Sequence, residues 1–160
     1  EDRSPYASRL KRGLENNAPK FHDLGLKLAG LSPCRMIDEV IDASRLSQLD
    51  ATGADCRILE IGVGSGGNLS KIYQAAPERT EVWGIDLSIG LLDRCRRKIQ
   101  AEPELSATRL LMADPHRMPF PDRLFDRVLY VGEIDDFREP EAVRREMLRV
   151  VKEDGMVVPA

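Results

Sequence analysis

The sequence predicts an α/β fold: a doubly wound, mostly parallel sheet preceded by a helical segment. Three observations carry this. From Cys56 onward, short apolar runs of strand character alternate with amphipathic helical stretches; the first run leads straight into a glycine-rich turn; and the second ends on an acidic residue, Asp86. Short apolar strands alternating with helices indicate a parallel sheet covered on both faces, and right-handed crossovers then favour double winding.

Taken in order, residues 1–55 read as an amino-terminal helical cap or lid. Residues 6–14 form a short basic amphipathic stretch. Phe21, Leu24, Leu28 and Leu31 share one helical stripe, Pro33 breaks the chain, and Met36, Ile37, Val40, Ile41 and Leu46 make another helix face before a turn at Gly53. The alternating part, residues 56–160, reads as the α/β domain. Strands are expected at 56–61, 81–85, 108–112, 125–131 and 156–158. Helices are expected at 68–76, at 88–100 with Ser88 as cap, and at 139–151 with Val143, Met147, Leu148, Val150 and Val151 apolar. A proline-rich loop covers 114–123, and Asp154 and Gly155 form a turn.

Composition narrows the function classes. The 160 residues are 42% apolar and 32% charged with a net charge of −3, an ordinary balance for one domain with a real core. Such a charge supplies no basic field, so general nucleic-acid binding is not expected. No apolar run reaches the roughly 20 residues of a membrane span, and the start has no signal pattern. The three cysteines, Cys34, Cys56 and Cys95, are far apart and read as reduced, small buried residues, which points to a cytoplasmic setting. No cysteine or histidine spacing suggests a metal site.

The chemistry concentrates in R-I-L-E-I-G-V-G-S-G-G-N, residues 57–68. A strand, a glycine turn and a helix in succession place a ligand beyond the carboxyl ends of the strands, because glycines let the backbone turn sharply and approach closely. Gly62, Gly64 and Gly67 satisfy G-x-G-x-x-G, the dinucleotide pattern, whereas Gly62, Gly64 and Gly66 satisfy G-x-G-x-G. Glu60 favours the second pattern, since a carboxylate ahead of the first glycine suits a cationic ligand better than a pyrophosphate. A bond from Glu60 to nearby backbone amides would be the purely structural reading. Asp86, about 20 residues beyond the glycines, can accept two hydrogen bonds from ribose hydroxyls, and this reads alike for either nucleoside cofactor.

The run from Ala113 to Asp126, A-D-P-H-R-M-P-F-P-D-R-L-F-D, resembles the A-D-x-x-x-L-P-F-x-D-x-x-F-D block of class I S-adenosylmethionine-dependent methyltransferases. The likeness is greatest to the broad group that includes the ubiquinone and menaquinone biosynthesis methyltransferases. The opening glycine block, the Trp83–Ser88 block and the V-K-E-D-G-M run at 151–156 resemble the same family, in the same order over residues 56–160; Glu153-Asp154-Gly155 stands where Pro-Gly-Gly is usual.

That resemblance implies a Rossmann-like methyltransferase fold with strand order 3-2-1-4-5 and S-adenosyl-L-methionine as cofactor. It implies that the turn at Gly62, Gly64, Ser65 and Gly66, with Glu60, holds the methionine part. Asp86 would bind the ribose, Leu87 would lie against the adenine, Asp114 would take the adenine amino group, and Pro115 would line the ring. Tyr130 and Val131 would lie under the reacting end, and Asp126 would be structural. The family normally adds two strands after strand five; this sequence ends before them, so the expected alternatives are a carboxyl-terminal continuation that is disordered or cut away, a homo-oligomer or another partner covering that edge, or a shortened natural form.

Methyl transfer is an in-line displacement that chiefly needs alignment and exclusion of water, with a base only if the acceptor must lose a proton. Glu133, Asp135 and Asp136 are candidate bases, against their reading as a solvated acidic loop. His116 reads as a surface residue rather than a catalytic one, and His22, which could face a substrate from the amino-terminal helix, reads as a satisfied surface or core histidine. The basic runs Arg94–Lys98 and Arg144, Arg145, Arg149 read as solvated helix faces, the latter with an i,i+4 pair from Glu141 to Arg145. The function expected is methyl transfer to a small-molecule acceptor. Two alternatives stay open: an NAD(P)-dependent oxidoreductase using Gly62, Gly64 and Gly67, and a domain that binds S-adenosylmethionine without turnover.

Overall fold

The computed structural model describes residues 33–49, 55–131 and 137–159, so the helical readings at 6–14 and 21–31, the turn at Gly53 and the acidic trio Glu133, Asp135 and Asp136 lie outside the described residues. The chain divides into two compact units, residues 1–35 and 36–160, and every described strand belongs to the second.

In chain order the described elements are α1 (Pro33–Ser44), a short 3-10 turn (Leu46–Gln48), β1 (Cys56–Ile61), α2 (Leu69–Ala75), β2 (Thr80–Asp86), α3 (Ile89–Ala101), a second 3-10 turn (Pro103–Leu105), β3 (Thr108–Met112), β4 (Phe125–Tyr130), α4 (Pro140–Val150) and β5 (Val151–Pro159). The five strands form one sheet in the order β3-β2-β1-β4-β5, and every neighbouring pair is parallel. This is the predicted fold class and strand order. Pro33 opens α1 where the sequence predicts a break, a position proline tolerates because its missing N–H would have no intrahelical partner anyway.

The core lies on both faces of the sheet, as strand periodicity requires. On β1, Ile58 packs into a cluster with Val40 of α1, Leu69 and Ile72 of α2, and Leu92 and Cys95 of α3. Its neighbours Leu59 and Ile61 pack into the opposite cluster with Val143, Met147 and Val150 of α4 and with Met118, Phe120 and Phe125. Cys56 and Cys95 are buried free thiols, and burial pushes both up to about 11, so they behave as small apolar residues.

Two charged side chains stitch the sheet. Arg127 on β4 is buried and donates through Nε to the Ser44 carbonyl at 2.7 Å, tying the end of α1 to the sheet. Asp126 accepts from the Arg57 backbone N–H at 2.9 Å and pairs with Lys152 Nζ at 2.7 Å, joining β1, β4 and β5. β5 begins at Val151 rather than at 156, and α4 ends one residue earlier than expected. Phe125 pairs with Val151 but Arg127 pairs with Met156, so the residues around Asp154 and Gly155 bulge out of a continuing strand.

Candidate functional site

In a parallel sheet all strands deliver their carboxyl ends to one edge, and the register brings these ends level. Ile61 of β1 lies opposite Ile85 of β2 and Tyr130 of β4, and Asp86 lies opposite Met112 of β3. The turn after β1 is then fastened to β2: Gly62 N–H and Val63 N–H both donate to the Ile85 carbonyl, at 2.8 and 3.0 Å. The Asp86 carbonyl in turn accepts from Ala113 N–H at 3.3 Å, bringing the start of the Asp114 loop to the same edge.

The turn uses one glycine register and not the other. Gly62, Gly64 and Gly66 adopt φ of 72°, 55° and 82°, whereas Gly67 is not among the positive-φ residues. A Cβ on Gly66 would stand 2.8 Å from Cys95 Sγ and 3.0 Å from Leu69 Cδ1, but one on Gly67 would meet nothing within 4 Å. The third glycine that needs its missing side chain is therefore Gly66. The dinucleotide pattern demands close packing at Gly67, which this turn does not have. At Gly64 the nearest group to a built Cβ is the Gly62 carbonyl at 3.9 Å, so the turn presents bare backbone to open space. Ser65 beside it is half-buried.

Asp86 faces this turn. Its Oδ2 accepts from Gly64 N–H at 3.0 Å and its Oδ1 from Ser88 N–H at 2.8 Å. An ionised carboxylate has about four acceptor positions, so two remain for a ligand. Ser88 Oγ also accepts from Leu91 N–H, capping α3 as its sequence position predicts. Leu87 is 64% exposed, a large apolar side chain left bare beside Asp86.

Glu60 lies behind the turn. It is buried at 1% exposure, and its Oε1 accepts from Asn68 Nδ2 at 2.7 Å. Its Oε2 is buried with no partner. Burial, helped by the nearby charge of Asp86 and opposed by the Asn68 hydrogen bond, pushes this carboxyl up to about 7. An orphaned buried oxygen behind a bare-backbone turn fits a ligand carrying a cationic N–H donor, the property of the methionine end of S-adenosylmethionine.

On the far side, Asp114 is exposed. Its Oδ1 accepts from His116 N–H at 2.9 Å and meets His116 Nδ1 at 2.7 Å. Desolvation raises this carboxyl, but the two His116 contacts together outweigh it and hold the group below the usual carboxylate range. His116 is not the plain surface residue expected: it is partly buried, with its ring edge against Phe137 and its Nε2 buried and unpartnered. Pro115 is buried. Tyr130 and Val131 are half-buried; the Tyr130 ring comes within 3.8 Å of a Cβ built on Gly62 and stacks at a tilt on Phe137.

A family model described as a methyltransferase domain matches residues 59–158. The chain belongs to the class I S-adenosylmethionine-dependent methyltransferases. This methyltransferase domain is 37% identical to phosphatidylethanolamine N-methyltransferase of Cereibacter sphaeroides over 102 residues, 64% of the chain and 48% of that relative. It is 29% identical to the ubiquinone/menaquinone biosynthesis C-methyltransferase UbiE of Geobacter sulfurreducens, again over 64% of the chain and 40% of the relative. The chain thus spans about half or less of the length of these curated relatives. Its fold is shared with Haemonchus contortus phosphoethanolamine N-methyltransferase 2, solved in complex with phosphomonomethylethanolamine and S-adenosylhomocysteine, at TM-score 0.61 and 22% identity over 74% of this chain and 27% of that one.

One part of the methyltransferase domain departs from what its sequence suggests. Arg149, expected on a solvated face, instead donates to the Met118 and Phe120 carbonyls at 3.0 and 2.7 Å and pairs with Asp122 and Glu146 at 2.8 and 2.7 Å. Glu146 also accepts from Met118 N–H at 2.7 Å, so α4 clamps the loop that carries Asp114. The pairing expected between Glu141 and Arg145 is made between Glu141 and Arg144, three residues apart. Asn68 reads in the sequence only as a helix start. Its place directly after the glycines, eight residues past Glu60, is the available clue to its role.

Proposed function

We propose that this domain binds S-adenosylmethionine across the carboxyl ends of β1, β2 and β3 and catalyses transfer of its methyl group to a small-molecule acceptor. The bare-backbone turn of Gly62, Gly64, Ser65 and Gly66, with Glu60 behind it, holds the methionine end. Asp86 takes the ribose hydroxyls with its two remaining acceptor positions, and Leu87 and Pro115 flank the adenine. Asp114 accepts from the adenine amino group through Oδ2, since its Oδ1 is engaged by His116. Tyr130 and Val131 floor the space where the acceptor enters.

The observation that carries this reading is the Asp86 carboxylate bridging Gly64 N–H and Ser88 N–H, which aims a ribose-type acceptor at a turn built in the Gly62, Gly64, Gly66 register. When bound, S-adenosylmethionine supplies a methyl group on a cationic sulfur that is already a good leaving group. The protein's share is alignment and exclusion of water. The small-molecule acceptor draws support from the names of the relatives, a phosphatidylethanolamine N-methyltransferase and a C-methyltransferase of ubiquinone and menaquinone biosynthesis.

Calorimetry with S-adenosylhomocysteine and with NAD tests the cofactor half: binding of the first and none of the second is expected, and the reverse would return the domain to the dinucleotide class. Methyl transfer from labelled S-adenosylmethionine to phosphatidylethanolamine vesicles or to quinone precursors tests the other half. Ligand binding without transfer to any small molecule offered would leave a domain that binds and does not turn over.

A further inference from the structure

The Asp114 side chain is 54% exposed, and the torsion that turns an aspartate's two oxygens is broad and roughly two-fold. Left alone, such a carboxylate offers either oxygen to a ligand in many orientations. Here two donors from one residue converge on one oxygen: His116 N–H at 2.9 Å and His116 Nδ1 at 2.7 Å both reach Oδ1. An ionised carboxylate has only lone pairs to give, so Nδ1 carries the hydrogen. Oδ2 receives no donor from the described residues. The Arg149 clamp acts on the Met118 and Phe120 carbonyls, further along the loop, so the orientation of the carboxylate itself is left to His116.

His116 is held in its turn. Its ring meets Phe137 edge-on, with centroids 5.7 Å apart and planes at 88°, and Phe137 lies at a tilt on Tyr130 at the end of β4. Its Nε2 is buried with no partner. Buried polar atoms are normally satisfied, and a histidine serving only the surface would turn that nitrogen to water. This ring forgoes the bond at Nε2 and keeps Nδ1 on Asp114.

Resting on the cofactor assignment above, we propose that His116 is the residue that sets the choice of purine: by pinning Oδ1 it aims Oδ2 at the six-position of the base, which admits a 6-amino group and rejects a 6-oxo group. A carbonyl oxygen facing those lone pairs is repelled. A carboxylate free to turn would escape the clash by accepting from the N1–H that a 6-oxo purine carries beside its carbonyl. The pinned carboxylate has no such escape. His116 touches no ligand here; it is a positioning residue that acts through Asp114.

Calorimetry on the full chain at pH 7.0, with S-adenosylhomocysteine and its 6-oxo analogue S-inosylhomocysteine, tests this. The wild type should bind the adenosyl ligand on the order of tenfold more tightly, the lower end for a hydrogen bond to a charged group because Asp114 is exposed. Two variants divide the histidine's properties. His116→Phe keeps a ring against Phe137 and loses the donor; the preference should fall to about twofold, through weaker adenosyl and tighter inosyl binding. His116→Asn loses the ring but carries an amide N–H on Cγ where Nδ1 stood, and should hold the preference within about twofold of the wild type. Nitrogen NMR should find Nδ1 of His116 protonated. A wild-type preference that survives in His116→Phe, or is lost equally in both variants, overturns the inference, and so does a bare Nδ1. Asp114→Asn separates the levels. Its loss of the preference, with none lost in His116→Phe, overturns the role of His116 alone. A preference kept in Asp114→Asn, or a wild type that binds both ligands equally, removes Asp114 from the base and this inference with it. Binding of neither ligand overturns the cofactor assignment as a whole.

Discussion

The turn after β1 and the loop after β3 both bring a carboxylate to the same edge of the sheet, yet they are built in opposite ways. Glu60 is buried, half-satisfied and pushed toward neutrality, and it sits behind a turn whose Gly66 packs against Cys95 of α3. Asp114 is exposed, satisfied by its own loop through His116, and held ionised, on a segment kept in place by Arg149 from α4. The first region fixes its geometry by packing and leaves its charge variable. The second fixes its charge and borrows its geometry from a neighbouring helix. Substitutions in the two regions should therefore fail differently.

The largest effect should come from Gly66→Ala. The residue sits at φ 82°, and the new Cβ would press on Cys95 Sγ and Leu69 Cδ1 at 2.8 and 3.0 Å. Backbone strain and overpacking together should cost about 3 kcal/mol or more in urea unfolding. Gly67→Ala, one position on, should change stability by less than about 0.5 kcal/mol. Equal effects at the two sites would mean that the Gly62, Gly64, Gly66 register is not the one the fold depends on.

Next is the pH dependence written into Glu60. Its folded-state value, raised to about 7 from an ordinary 4.5, means that the native state holds a proton which the unfolded chain has already lost. Stability from this group is present at low pH and falls as pH rises through about 7, by about 2 kcal/mol between pH 5.5 and 7.5. The lowered carboxyls Glu81, Glu102, Glu146 and Asp114 act in the opposite sense, but below the ordinary carboxylate range and so outside this window. Urea midpoints at the two pH values should differ in the wild type and coincide in Glu60→Gln. A wild-type protein equally stable at both would show that Glu60 is ionised throughout.

Arg149→Ala should cost less, about 1–2 kcal/mol, since the side chain keeps 31% exposure and each bond is worth little alone. It should also weaken adenosyl ligands severalfold, because it releases the Met118 and Phe120 carbonyls and with them the loop bearing Asp114. Loss of stability with unchanged ligand affinity would separate the clamp from the site.

The same contrast explains which features are legible in the sequence. The strands, the glycine turn and Asp86 can be read because each is written locally, in periodicity and in spacing along one stretch of chain, whereas the strand order comes only with the family resemblance. Arg149 cannot, because its partners are backbone carbonyls 29 and 31 residues away and its own helix shows only an ordinary mix of charges. Arg127 hides for the same reason, reaching a carbonyl 83 residues distant. Glu60 is visible as a residue suited to a cationic ligand, but its unpartnered oxygen depends on how α2 and α3 close behind it, which no spacing encodes. The bulge in β5 accompanies the pairing of Lys152 with Asp126 across the sheet, again a contact between segments far apart in sequence.

The smallest expected change in stability, and the sharpest test of the comparison, is Asp114→Asn. The side chain is exposed, and an amide keeps one acceptor for the His116 N–H, so unfolding should move by less than about 0.5 kcal/mol. Ligand affinity should respond differently. Oδ2 must accept from the adenine amino group if Oδ1 remains with His116, and an amide whose nitrogen faces the adenine presents a donor to a donor. S-adenosylhomocysteine should then bind about tenfold more weakly, by the same factor at pH 5.5 and 7.0, because Asp114 is ionised across that range. A loss that grew with pH, as at Glu60, would mean that the two carboxylates titrate as one unit. A loss confined to stability would mean that Asp114 serves its own loop and not the ligand.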